Sequence, residues 1–547
     1  MPPGTVSSTR KKIKHREPGP ERTTDKASPR IEKSAQNRST NRANHVRRGG
    51  GPKTSSRPIK RPLETENDDQ SPSVASGVVG KRVKTSAAAQ QQQHESPSQS
   101  RSAVINQVPN EKLTVLIFGT GENGELGLGP KKKEALRPSP NPLLDVSDAS
   151  ALHVVQIACG GMHTVALTAD NKIITWGVND EKALGRDTEW EGKLQEINAG
   201  SGREDDDNGG DDDDDEADLN PLESTPKEIP IDSFPPNTRF SQVAAGDSCS
   251  FALTDTGHVY GWGSVRDSRG ESRFRYDDDG ELVAKQARPF HIQSLKNITQ
   301  ICCGDNHALA LDTGGNVWAW GSNEQHQFGR RLVGRSSDPL TPRLVRVCRK
   351  KAKYIASGGY HCFAIDEHDD VYGWGANSFG EAGDAQTAGG NAAFVPPTKI
   401  ADLCQKQVVV LDGGAHHSAA VTASGQCLTW GRMDDGQLGI AFTPEQLQEP
   451  TMIRLDERQK PRICVRPTVI PTVEQAIHVA CGSDHTVLID QTGRAYSTGY
   501  GYQGQLGQGS NDDVQVMQLI GGRHVKNQHL TWAGAGGQFS MVTGPAS

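Results

Sequence analysis

Aromatic residues make up only 5% of this 547-residue chain, and hydrophobic residues of all kinds 33%. Nowhere does the sequence run to the ~18–20 apolar residues that a membrane-spanning helix needs. Its first residues are polar and charged, with no apolar stretch of the kind a secretory leader carries. These absences predict a cytosolic or nuclear protein with no membrane partner. The ten cysteines all lie after residue 150, form no Cys-x-x-Cys, and are adjacent only at Cys302–Cys303. Zinc needs ligands clustered at short spacing, and disulfide frameworks belong to secreted domains. The expectation is free buried thiols in a reducing compartment, with no metal and no cofactor. The sequon Asn297-Ile298-Thr299 is then a chance match.

The net charge of the whole chain is also small, at −7. That sum hides a split. Residues 1–105 carry 21 Lys and Arg against 9 Asp and Glu, which leaves the remainder at −19. A basic arm suits a polyanion or an acidic protein patch, and an acidic body suits a basic partner. Residues 1–110 are rich in Ser, Pro, Gln and basic residues and have no hydrophobic period, so a disordered tail is expected. Within it lie Lys11, Lys12, Lys14 and Arg16, then Lys60 and Arg61, then Lys81, Arg82 and Lys84. Exposed basic clusters of this kind are what a nuclear import receptor reads, so a nuclear address is expected.

From about residue 111 a repeat sets in. Gly-x-x-His precedes an alternating apolar stretch, a turn and Trp-Gly. It occurs as Gly160–His163 to Trp176-Gly177, Gly304–His307 to Trp320-Gly321, and Gly358–His361 to Trp374-Gly375. It returns as Gly413–His416 to Trp430-Gly431 and Gly482–His485 to Thr498-Gly499, and with Cys249 in place of His as Gly246–Cys249 to Trp262-Gly263. A second element closes most units, as in Gly124-Glu125-Leu126-Gly127 and Gly436-Gln437-Leu438-Gly439. The alternating stretches Thr164–Leu167, Phe251–Leu253 and Thr486–Ile489 read as half-buried strands. Gly257, Gly425 and Gly493 read as hairpin turns.

Six units start near residues 160, 246, 304, 358, 413 and 482. A seventh is split between the C-terminal stretch around Trp532–Val542 and Val115–Gly127. A unit made from both ends closes a ring and needs no capping repeats. The fold class is therefore all-β: a seven-bladed β-propeller over residues 111–547, closed by N- and C-terminal strands sharing one blade. An acidic insertion lies at about 200–220, with the run Asp211–Asp215, and is expected to be solvated and disordered.

These residues resemble the regulator of chromosome condensation family over about residues 112–545. The likeness goes past the generic repeat at Gly160–Val165, Gly185-Arg186-Asp187-Thr188 and Ala245–Ser248. It extends to Trp262–Gly270, where the family carries a wedge that reaches into its GTPase beside the nucleotide. The resemblance implies guanine-nucleotide exchange on the nuclear GTPase Ran without covalent chemistry. It assigns the wedge to Ser264, Val265, Arg266, Asp267, Ser268, Arg269 and Gly270. It assigns GTPase binding to Glu122, Asp247, Asp305, Asn306 and His416.

Each assignment has a plainer alternative. Asp247 can cap its own turn, and His416 can be a repeat histidine satisfied inside the sheet, as expected for His163, His307, His361 and His485. Two departures from the family stand out: Asn306 occupies the position of an Asp, with Asp305 one residue earlier, and Gly380 occupies the position of a His. The resemblance also implies chromatin contact. The tail would supply one source by phosphate neutralisation. Arg330, Arg331 and Arg335 would supply another, in a loop placed where the family meets the histone surface of the nucleosome; an arginine fork suits acidic patches. Two other classes remain open: a non-catalytic propeller scaffold, as in ubiquitin ligases or a plant light receptor, and an enzyme with a metal in the central channel.

Overall fold

The computed structural model describes residues 103–191, 218–332, 338–390 and 394–546. The basic clusters of the tail, the run Asp211–Asp215 and Arg335 lie outside them. Seven antiparallel sheets follow one another along the chain, six of four strands and one of five. Blade 1 is split as expected: Trp532–Ala535 and Phe539–Pro545 pair with Leu113–Thr120 and Glu134–Pro140 from the other end of the chain. Blades 2 to 7 begin at Val154, Phe240, Ile298, Ala352, Val408 and Ala476. In each, the first strand lines the central channel and the last lies outermost.

The second strands are buried on both faces: all of His163–Thr168, Cys249–Thr254 and His485–Asp490. This corrects the half-buried reading. A strand is half-buried when one face meets water, whereas here each blade is sandwiched between two others. Trp176, Trp262, Trp374 and Trp430 are fully buried between blades.

The repeat residues form a lattice across most of the blade junctions. His163 Nε2 lies 2.8 Å from Ser250 Oγ of blade 3. His361 meets Ser418 at 2.7 Å, His417 meets Thr486 at 2.9 Å and His485 meets Ser540 at 2.8 Å. Each hydroxyl donates onward to a main-chain carbonyl of the closing element; Ser418 and the Trp430 indole N–H both donate to Glu381 O, at 2.9 and 3.0 Å. Gly-x-x-His, Trp-Gly and the closing element are thus three parts of one junction. Glycine opens the motif because the histidine ring lies over it: a Cβ on Gly304 would stand 2.2 Å from His307 Cε1.

In blade 6 the lattice histidine is His417, paired with Gly431, and not His416. The motif there runs Gly414-Ala415-His416-His417, one residue later than the spacing reading placed it.

A main-chain ring closes the propeller at one mouth of the channel. The N–H groups of Gly161, Asp247, Asp305, Gly359, Ala415, Ser483 and Gly537 donate to Gly246, Asp305, Gly359, Gly414, Ser483, Gly536 and Gly161, at 2.9–3.4 Å. The chain of bonds returns to its starting residue after one circuit of seven blades.

The seam between blades 3 and 4 departs from this scheme. Cys249 replaces the histidine, and among the described residues Trp320 has no counterpart of the indole-to-carbonyl bond. A segment ahead of blade 1 spans this seam instead, at the opposite mouth. Asn106 Nδ2 donates to Thr254 O of blade 3 and Ile298 O of blade 4, both at 2.9 Å. The N–H groups of Ile105 and Asn106 both donate to Asp255 O. These residues were read as tail, and the structure packs them on the propeller. Asn106→Ala is expected to cost about 1–2 kcal/mol, the scale of two partly buried hydrogen bonds. Chemical denaturation should register it, with amide exchange rising first in Ile298–Cys303.

Candidate functional site

In a meander of this kind the first-to-second turn and the third-to-fourth connection of every blade emerge at the same end. Asp247, Asp305, Asn306, His416, Glu122 and the stretch Ser264–Gly270 therefore share one face, although they come from blades 1, 3, 4 and 6. The main-chain ring fixes two of them directly, since Asp247 and Asp305 are members of it.

A continuous polar row crosses this face from blade 3 to blade 6. Burial pushes the Asp305 carboxyl up to about 6, and the neighbouring Asp247 carboxylate adds to the rise. The Tyr360 hydroxyl, hydrogen-bonded to Asp305, and His416 pull the other way. A raised carboxyl beside a second carboxylate favours a cationic partner, because a Lys or Arg placed there restores the ionised form of Asp305.

His416 lies beyond Tyr360, with ring centroids 6.2 Å apart, and against Phe379 at 4.7 Å. Its Nδ1 is 3.7 Å from Oε1 of the fully buried Glu381. The lattice role belongs to His417, so the alternative of a sheet-satisfied repeat histidine does not hold for His416, which is about one-third exposed. Phe379, next to Gly380, packs its ring against His416. Glu122 lies at the edge of the face in the turn after Leu113–Thr120.

The wedge stretch is a real hairpin. Val265–Arg266 pairs with Ser272–Arg273, and a second small hairpin, Arg275–Tyr276 with Leu282–Val283, continues from it. Ser264 is fully buried at its base, and Val265 nearly so. Arg266, Ser268, Arg269 and Gly270 are exposed. Asp267 is held at the tip by Arg269 and Arg273, each at 3.2 Å. Asn306 does not stand free on the face: its Oδ1 accepts the Arg266 N–H at 2.6 Å. An acceptor oxygen is all that this bond requires, and Asn supplies it as Asp would.

Sequence reasoning passed over the aromatic part of the face. Tyr502 is 65% exposed and stacks on Tyr500, and Trp190 and Met162 are exposed as well. Exposed aromatics within a polar surface are frequent anchors of protein interfaces. Arg330 and Arg331 lie in the third-to-fourth connection of blade 4 and so sit on this same face, where Asn323 Nδ2 donates to Arg330 O. The opposite face carries its own basic cluster, the exposed Arg346, Arg349, Lys350 and Lys351 between blades 4 and 5.

Among the described residues no group of three His, Cys, Asp or Glu could hold a metal ion, and all ten cysteines are free. The repeat histidines point into blade junctions, away from the channel. The channel itself is lined by the first strands, including Tyr354, Cys302 and Asp412, whose carboxyl burial pushes up to about 7.

Residues 114–542 match the family model described as the RCC1-like domain. The Schizosaccharomyces pombe protein pim1 is 34% identical over 451 residues, spanning 82% of this chain and 77% of its own. The Saccharomyces cerevisiae guanine nucleotide exchange factor SRM1 is 36% identical over 444 residues, spanning 79% and 88%. The crystal structure of S. cerevisiae Prp20p, studied with its binding to Gsp1p and histones, superposes with a TM-score of 0.69 at 34% identity, covering 81% of this chain and 94% of that one. Yeast RCC1 (Prp20) bound to Kap60 gives 0.70 at 33%, covering 84% and 97%. With a closed seven-bladed ring, a hairpin on one face and these relatives, the chain belongs to the RCC1-like, regulator of chromosome condensation family.

Proposed function

We propose that this protein is the guanine-nucleotide exchange factor of a Ran-type small GTPase, acting on chromatin in the nucleus. The observation that carries the reading is the Ser264–Arg273 hairpin standing on the face that also presents Asp247, Asp305 and His416. A relative named as a guanine nucleotide exchange factor, matched over 88% of its own length, supports it, as does the Gsp1p binding of a structural neighbour.

No bond needs to be made or broken. A GTPase holds its nucleotide through a phosphate loop and Mg²⁺. A partner that binds the nucleotide-free form more tightly weakens nucleotide affinity by the same factor, and nucleotide in turn expels the partner. In this reading the carboxylates and the exposed aromatics hold the GTPase whether or not it carries nucleotide. The hairpin supplies the interaction made only as nucleotide leaves. Which nucleotide rebinds follows from which is abundant.

The test is an affinity ratio. The protein should bind nucleotide-free Ran at least about a hundredfold more tightly than Ran·GDP, a coupling of about 2.7 kcal/mol. Asp247→Ala and Asp305→Ala should weaken both states alike. Equal affinity for the two states would sink the reading and leave a scaffold in its place.

Chromatin contact is proposed through the basic tail, and import through its Lys and Arg clusters; the Kap60-bound neighbour supports the second. Arg330 and Arg331 share the GTPase face, so a nucleosome held there would compete with Ran. The Arg346–Lys351 cluster on the other face is free of that conflict. Saturating nucleotide-free Ran should therefore leave nucleosome binding intact, and displacement would return the contact to Arg330 and Arg331.

A further inference from the structure

The hairpin is held by residues of blades other than its own. Glu181, in the third-to-fourth connection of blade 2, is only 13% exposed at its side chain. Its Oε2 accepts Ser264 Oγ and Ser272 Oγ, both at 2.6 Å, one from each side of the hairpin base. Its Oε1 pairs with Lys285 at 3.0 Å and lies 3.6 Å from Arg266. Burial works against the charge on Glu181, yet the two hydroxyls and Lys285 overcome it and hold the carboxyl below its usual range. From the other flank, blade 4 takes the main chain: Asn306 Oδ1 accepts Arg266 N–H and Glu324 Oε1 accepts Ser268 N–H, each at 2.6 Å.

We infer that Glu181 is the positioning residue of the exchange reaction, fixing the hairpin base from blade 2 while Asn306 and Glu324 fix its rising strand from blade 4. The inference rests on the exchange reading of the hairpin. A two-residue ladder such as Val265–Arg266 with Ser272–Arg273 is not stable by itself in water. Its own blade anchors the hairpin only below the tip, where Ser264 N–H donates to Ser248 O and Val265 packs into the core. The angle at which Asp267 to Gly270 meet a partner is set by this clamp, and a misplacement on the ångström scale is costly wherever geometry must match a transition state. An ordinary surface ion pair would not explain the arrangement, since such pairs contribute little. Here one nearly buried carboxylate takes both hydroxyls of the base at short range. Glu181 touches no nucleotide, so its effect passes through the hairpin.

The experiment pairs amide hydrogen exchange with exchange kinetics on the full chain. In Glu181→Ala, protection of Arg266 N–H, Ser268 N–H and Asp267 N–H should fall while that of the blade strands holds. The maximal rate of GDP release from Ran should drop roughly ten- to a hundredfold. The Ran concentration giving half-maximal rate should stay within about twofold, because that reports uniform binding. Glu181→Gln keeps an acceptor for the serine hydroxyls and loses the charge, so it should recover part of both readouts. Unchanged protection in Glu181→Ala, or a rise in half-saturation with the maximal rate intact, would overturn the inference. Loss of protection with no wild-type exchange activity would instead overturn the exchange reading and leave the clamp standing.

Discussion

Excising the hairpin tip, with Asp267–Glu271 replaced by Gly-Gly, is expected to lower the maximal rate of nucleotide release by about a hundredfold or more, equivalent to about 2.7 kcal/mol of lost transition-state stabilisation. Affinity for Ran·GDP should change far less. Interactions made equally before and during release set affinity, and only those that strengthen as nucleotide leaves set rate. Asp247, Asp305 and His416 are held rigidly by the main-chain ring and by neighbouring rings of Tyr360 and Phe379. In the proposed function they serve recognition. The hairpin is an ordered element built out from the ring of turns on that face, and its tip residues contribute nothing to the core. The excised protein should therefore keep its melting temperature, so that stopped-flow release of a fluorescent GDP analogue reads function alone. A loss of affinity as large as the loss of rate would place the tip among the recognition residues instead.

The second large effect is acid lability. Burial lowers the lattice histidines: His163 and His485 to about 4, His307 and His417 to about 3, and His361 well below the ordinary value. His478, on the first strand of blade 7, is lowered to about 4 in the same way. Each must be neutral in the folded protein and takes up a proton more readily once unfolded. Stability from these six groups is thus fully present above about pH 6.5 and is lost as the pH falls toward their folded values.

At pH 5 each loses about 2 kcal/mol, taking 1.36 kcal/mol per pH unit below the unfolded value. Asp305 and Asp412 act in the opposite sense, because their raised carboxyls are relieved on protonation between about pH 7 and 4. Two groups do not offset six. The melting temperature should fall by about 10 °C between pH 7 and pH 5, and His307→Gln should narrow that fall. A melting temperature unchanged across the range would mean that the histidines are not held neutral at the junctions.

Much of this architecture could be read from the chain because each part of the junction leaves a residue-level mark. A histidine needs a glycine beneath its ring, a tryptophan needs a carbonyl to receive its N–H, and both recur at fixed offsets. The split blade was legible because its two halves carry the missing pieces of one repeat. The slip at His416 arose where two histidines stand together and a glycine pair precedes them. Spacing alone admits either, and only pairing with Gly431 selects His417. The ring of main-chain bonds at the channel mouth was invisible because it uses N–H groups that every residue but proline carries. The wedge clamp was missed for another reason. Glu181 is more than 80 positions from Ser264 in sequence, and nothing local marks a carboxylate whose partners lie in another blade. Asn306, where the resemblance led an Asp to be expected, accepts the Arg266 N–H.

The most direct measurement loads purified Ran with a fluorescent GDP analogue and adds this protein at about one hundredth of the Ran concentration with excess GTP; the account predicts accelerated release with many turnovers per molecule. Another small GTPase should be unaffected under the same conditions. No acceleration even at equimolar protein would contradict the account, and the closed ring with its hairpin would then stand as a binding scaffold.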